Sequence, residues 1–160
     1  MTAILSDCRK YRYRLYRDVG LFGDKVIAYF GINPSTADES IDDATVRKWR
    51  GFTKRNEGKA FVVGNVFAYR ATNVNELGRV PNPEGPENHA HVMAIIHEAD
   101  VLVPCWGSRS KIPMELHSKI DDLLGVLLNS GKPVLCFGKT ASGDPKHPLM
   151  LGYDTRLTPY

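Results

Sequence analysis

The sequence predicts an α/β fold: a three-layer sandwich whose central sheet is four-stranded and mainly parallel, with an extra N-terminal edge strand. Three observations predict it. Four short apolar runs rich in β-branched and aromatic residues read as buried strands, three stretches between them carry the spacing of one helix face, and the two kinds alternate along the chain. Such alternation implies crossovers of one hand, and therefore parallel strands covered on both faces. At 160 residues and 42% hydrophobic content, the chain suits one domain over residues 1–160, burying about 70% of the surface its unfolded form exposes.

The elements follow in chain order. "RKYRYRLYR" (9–17) alternates with period two, with Lys10, Arg12, Arg14 and Tyr16 on one face and Arg9, Tyr11, Tyr13, Leu15 and Arg17 on the other. It is expected at a sheet edge. Basic residues guard such an edge against unwanted pairing, and cations interleaved with rings equally suit phosphates and stacked bases, so both roles stand open. "VIAYF" (26–30) is the first core strand. Residues 43–56 then bring Val46, Trp49 and Phe52 to one side of a helix, capped by Asp42 or Asp43. "FVVGNVF" (61–67) is the second core strand, and "GRVPNPEGPEN" (78–88) is linker-like but too short to separate domains. A helix over 85–98 turns Val92, Ile95 and Ile96 inward, and "VLVPC" (101–105) is the third strand. The clearest helix carries Leu116, Ile120, Leu123, Leu124, Leu127 and Leu128 and stops at Gly131, and "PVLCF" (133–137) is the fourth strand.

Composition excludes several classes. With 21 basic against 18 acidic residues and a net charge of +3, bulk electrostatics do not announce nucleic-acid binding, although a local patch remains open. Cys8, Cys105 and Cys136 are odd in number and form no C-x-x-C pair, which fits a reducing cytoplasm better than a disulfide framework or a thiolate zinc site. No run approaches the roughly 18 apolar residues of a membrane span, and no internal repeat or export signal is read.

In open parallel sheets ligands sit beyond the carboxyl ends of the strands. The segments expected there are "GINPSTAD", "NVFAYRAT", "WGSRSK" and "GKTASGDPKHP", the most polar and most Gly- and Pro-punctuated of the chain. In the first, Gly31 permits close approach, Pro34 stiffens the turn, Ser35 adds a hydroxyl, and Asn33 presents an amide that both donates and accepts. The plainer alternative is that Asn33 and Asp38 merely close a turn.

Other motifs are weighed and mostly set aside. "FGKT" lacks the first glycine of a phosphate loop, whose place Pro133 holds, so Lys139 and Thr140 are left as single anion contacts or as a solvated loop. His89 and His91 lie two apart and face opposite sides of a helix, so they cannot chelate one ion; with His97 they read as surface residues. Asp38, Glu39, Asp42 and Asp43 could gather a hard cation, but capping explains Asp42 and Asp43 without one. Neither a metal nor a cofactor is expected. Arg70, following "NVFAY", either grips an anion at the rim or forms an ordinary salt bridge.

Together "GINPSTAD", "DDATVRKWRGF", "GNVFAYRAT", "GPEN", "WG" and "GDPKHPL" resemble a family of small bacterial and phage proteins classed as a domain of unknown function, over nearly the whole chain. More distantly, the order of "VIAYFGINP", "GNVFAYRAT", "VLVPCWGS" and a late "HP" is similar to the uracil-DNA glycosylase superfamily. That resemblance implies that Asn33 orients the hydrolytic water, His147 hydrogen-bonds the base as charge moves onto it, Asn65 reads a base edge, and an aromatic such as Phe67 stacks. The pocket would lie between Asn33, Asn65, Trp106 or Ser108, and His147, with Lys139 or Arg70 holding a phosphate.

Breaking an N-glycosidic bond builds positive charge on the sugar and negative charge on the base, so these residue types suit it. Two departures weigh against duplex repair: "KHPLML" lacks the S-P-L-S continuation that presses on DNA, and an amide cannot serve as a general base. For His147 the alternative is a turn residue satisfied by a backbone carbonyl. The expected partner is a nucleobase, a nucleotide or single-stranded nucleic acid, and not a membrane; no oligomeric state is implied. Three functions stand: glycosylase-like hydrolysis, non-catalytic capture of a nucleotide or modified base, and a protein-interaction domain that keeps only the fold.

Overall fold

Asp43 ends the loop after the first core strand by capping a helix: its carboxylate accepts the backbone N–H of Val46 at 2.9 Å, which satisfies one orphan donor of the first turn. That helix, α1, spans Ala44–Arg55 and buries Val46, Trp49 and Phe52, the face that the spacing predicts. It belongs to a computed structural model that describes residues 1–35 and 37–160. Thr36, inside the "GINPSTAD" segment, lies outside the described residues.

Five strands form the main sheet: β1 (Thr2–Leu5), β2 (Arg12–Asp18), β3 (Lys25–Gly31), β4 (Gly58–Asn65) and β5 (Val101–Pro104), in the order β1-β2-β4-β3-β5. The sheet is mixed. β3 runs parallel to both β4 and β5, whereas β2 is antiparallel to β4 and to β1. Two expectations are thereby corrected. The basic strand is not an edge but lies second, between β1 and β4, and the edge beyond it is the short β1. The run 133–137 does not complete a four-stranded parallel sheet: it touches β5 only through a bridge from Val134 to Leu102, and its β6 (Leu135–Cys136) pairs with β7 (Thr158–Pro159) near the C-terminus. Pro133 at its head and the turn at Gly138, with φ of 96°, leave too short a stretch for a full ladder.

Alternation along the strands sends side chains to two cores. Ile27, Tyr29, Phe61, Val63 and Val103 meet α1 on one face. Ala28, Phe30, Val62 and Leu102 meet α2 (Asn88–Glu98) and α3 (His117–Leu128) on the other. Each fully buried Phe contributes about 1.5–3 kcal/mol over an exposed one. In α3 the buried face is Ile120, Leu123 and Leu127, while Leu128 is exposed. Gly131, at φ of 80°, supplies the left-handed stop after it.

This topology opens a crevice. β3 leads into α1 on one face, and its neighbour β4 leads on towards α2 on the other, so the two chains leave adjacent carboxyl ends in opposite directions. Beyond those ends the loops are zipped together: Val66 N–H donates to Gly31 O at 3.0 Å and Phe67 N–H to Ile32 O at 2.9 Å.

Candidate functional site

At the switch point lies a cleft of about 170 Å³ walled by Arg12, Gly31, Ile32, Asn33, Pro34, Ser35, Asp43, Thr45, Trp49, Asn65 and His147. A larger open hollow of about 500 Å³ lies at the other end of the sheet, beside Leu21 and Phe22. Its charged walls among the described residues are Lys54 and Glu57, whereas the small cleft lies at the carboxyl ends of β3 and β4 and is lined by polar side chains from separate segments.

Asn33 follows β3 directly. Its Nδ2 donates to Ala71 O at 2.7 Å and to Pro34 O at 3.1 Å, and two carbonyl partners oblige the NH₂ to point that way. The amide thus closes the turn, as the plainer alternative has it, and its Oδ1 is the group left for a ligand. Asn65 ends β4 and is 2% exposed. Its Nδ2 is buried without a partner, and a Cβ on Gly31 would stand 3.0 Å from its Oδ1. Gly31 is needed here so that the Asn65 amide can lie across the head of β3. An amide N–H buried this deep is costly unless an acceptor reaches it.

His147 stands opposite, with solvent access at the rim. Leu149 N–H donates to its Nδ1 at 3.1 Å, which puts the ring proton on Nε2. Burial of the ring lowers its pKa, and the nearby Asp43 charge offsets that incompletely. Near neutral pH the residue therefore offers a neutral N–H donor. The expected carbonyl partner for this ring is replaced by a backbone donor. Gly107, at φ of 80°, packs its α-carbon against His147, and its N–H donates to Pro145 O at 2.9 Å, so the "WG" and "HP" loops do meet.

The remaining expected residues lie elsewhere. Phe67 is wholly buried in the core beneath α2 and α3, where it cannot stack on a ligand; Trp49 is the aromatic that reaches the cleft wall. Trp106 is 5% exposed in that same core, and Ser108 caps a short 3₁₀ turn through Ser110 N. Lys139 lies 4.2 Å over the Tyr160 ring. Arg70 stands behind the cleft, where its Nε donates to Ser35 O at 3.3 Å.

Three wall residues are not singled out by sequence patterns. Arg12 is at the rim because β2 runs antiparallel to β4, so its first residue meets the carboxyl end of β4. Asp43 is read as a cap and is one, yet its second oxygen accepts from Ser35 Oγ at 3.0 Å and faces the same space. Trp49 shows its helix spacing and looks like core alone. The basic and aromatic run 9–17 offers Arg12 as one of several phosphate contacts, and the antiparallel register of β2 is what sets Arg12 apart at the rim.

Burial pushes the Cys105 thiol up to about 12, which leaves it inert. Among the described residues no group of three His, Cys, Asp or Glu side chains is placed to hold a metal ion, and no helix is long and apolar enough to cross a membrane.

No curated protein and no solved structure matches the chain. A family model described as a protein of unknown function, DUF1643, matches residues 12–149. That span runs from the cleft arginine at the head of β2 to the residue whose N–H orients His147, and the chain belongs to the DUF1643 family.

Proposed function

We propose that the cleft receives a nucleobase carrying its sugar and that the protein hydrolyses the N-glycosidic bond, in the manner of a glycosylase. One observation supports the reading above others: Asn33, Asn65 and His147, from three distant segments, wall a single small cleft together with a carboxylate, Asp43. Its volume of about 170 Å³ is below the roughly 300 Å³ of a drug-sized pocket and suits one heterocyclic ring. In this reading the Asn65 amide pairs with the base edge, and Trp49 supplies a flat apolar wall.

Asn33 Oδ1 accepts from the attacking water, Asp43 faces the positive charge that grows on the sugar, and His147 Nε2–H donates to the base as it takes the bonding pair. Water oxygen bonds to the anomeric carbon, the carbon–nitrogen bond breaks, and the water proton leaves to solvent. Incubation with deoxyuridine-containing single- and double-stranded DNA and with free nucleosides tests the proposal. Released base, lost in His147→Ala, is the expected result; no release from any substrate overturns hydrolysis.

A second reading, capture without turnover, has its own observation. Both Asp43 oxygens already accept hydrogen bonds, from Val46 N and Ser35 Oγ, which weakens the carboxylate as a base. Tight binding with no released base favours that reading.

A further inference from the structure

β2 carries two buried arginines, and the protein treats them differently. Arg17, fully buried, donates from Nε to Asp42 Oδ1 at 2.7 Å and from its other nitrogens to the carbonyls of Asp38, Tyr16 and Thr2. Its charge is matched. Arg12 is 3% exposed and, among the described residues, makes one hydrogen bond, from Nη1 to Ala37 O at 2.6 Å. Its Nε is buried with no partner, and it joins no ion pair among the described residues.

An unmatched buried cation is expensive, and a fold keeps one where something else supplies the opposite charge. Burial pulls the Arg12 pKa down to about 10, Arg70 and Arg17 add like-charge repulsion, and Asp43 and Asp38 offset some of it. Neither acid relieves the guanidinium directly. Asp43 spends its oxygens on Val46 N and Ser35 Oγ, and Asp38 on Ser40 and Ile41. Arg70 also joins no ion pair among the described residues and holds the Ser35 carbonyl instead. Two guanidinium groups thus flank the 33–35 loop without a carboxylate bonded to either among the described residues, and Arg12 itself walls the cleft.

We infer that Arg12, with Arg70 behind it, is the anion subsite of the cleft and reads a phosphate on the ligand, so that the substrate class is a nucleotide and not a free base or neutral nucleoside. The inference rests on the nucleobase reading above for the rest of the ligand. A guanidinium fork matches phosphate oxygens two at a time, and such charge-assisted bonds strengthen where water is excluded. The phosphate comes either from a free monophosphate or from a strand, and these give different outcomes.

Calorimetric titration of the whole chain tests it, using 2′-deoxynucleosides including deoxyuridine, their 5′-monophosphates, a short single-stranded oligonucleotide and inorganic phosphate. The expected result is that a monophosphate or the oligonucleotide binds about tenfold or more tightly than its nucleoside. That ratio collapses in Arg12→Gln, and Arg12→Lys restores some of the gain. The stronger of the two phosphate ligands identifies the source. Since Arg12 also holds Ala37 O, Arg70→Gln gives an independent arm in which a smaller loss is expected. Equal wild-type affinity for nucleoside and phosphorylated forms overturns the anion subsite and leaves the base reading intact. Inorganic phosphate binding that depends on Arg12, with no nucleoside or nucleotide bound, keeps the anion subsite and overturns the base reading. Failure of every probe overturns both.

Discussion

Asn33 illustrates how one side chain serves two ends. Its NH₂ ties the loop after β3 to Ala71 O, so Asn33→Ala leaves that carbonyl without its donor and is expected to cost about 1–3 kcal/mol, measured as a shift in denaturant midpoint. Asn33→Asp is expected to cost more, because a carboxylate would face the same carbonyl. Gly31→Ala probes the neighbouring contact: a methyl 3.0 Å from Asn65 Oδ1 forces the amide aside. Ligand affinity is expected to fall about tenfold with the thermal midpoint nearly unchanged; unaltered affinity would show that the Asn65 amide takes no role in binding. Asn33 is legible in sequence because it sits where a strand ends, beside a glycine and a proline, whereas Asn65 and His147 are expected at the site through the glycosylase resemblance. Phe67 misleads because alternation alone does not tell a core-facing ring from a cleft-facing one.

At the scale of elements, β2 is the pivot. Its period-two pattern is read correctly as a strand, but basic residues suggest an exposed edge, whereas Arg17 is fully buried against Asp42 and loop carbonyls. Burial of Asp42 alone would raise its carboxyl pKa, but hydrogen bonds from Arg50 and Arg17 outweigh that and hold it below the usual carboxylate range. Arg17→Met leaves Asp42 paired with Arg50 alone and frees the carbonyls of the 38–42 loop, and a loss of about 3–5 kcal/mol is expected in chemical denaturation. The same change at Arg14, whose pair with Glu98 is only partly buried, is expected to cost under about 1 kcal/mol. The helices are better foreseen: α1 starts at its Asp43 cap, and α3 stops before Gly131. The run 133–137 looks like a core strand by composition, yet partners, not composition, decide where a strand pairs.

For the whole molecule, pH separates two sets of groups. Burial lowers the pKa of His147 against the opposing charge of Asp43, and burial with nearby Arg14 lowers that of His91 against Glu87. Each binds its proton more readily in the unfolded chain, so stability is full above the ordinary 6.5 and falls as pH drops below it. The combined variant His91→Gln, His147→Gln is expected to flatten the thermal midpoint between about pH 6.5 and 5. The lowered carboxylates Asp38, Asp42 and Asp144 act only below their ordinary 3.8 and leave a second acid limb in place. The α/β class, the three helices, the core strands β3, β4 and β5, and the loops that carry polar residues can all be read from the chain of letters, because periodicity, caps and turn chemistry act over a few neighbouring positions. The mixed sheet, the interior place of β2, and the cleft that joins Arg12 and Asp43 to Asn33, Asn65 and His147 emerge solely once the chain is folded. Strand order and register are set by which apolar faces cover one another across the fold, and no local spacing encodes that.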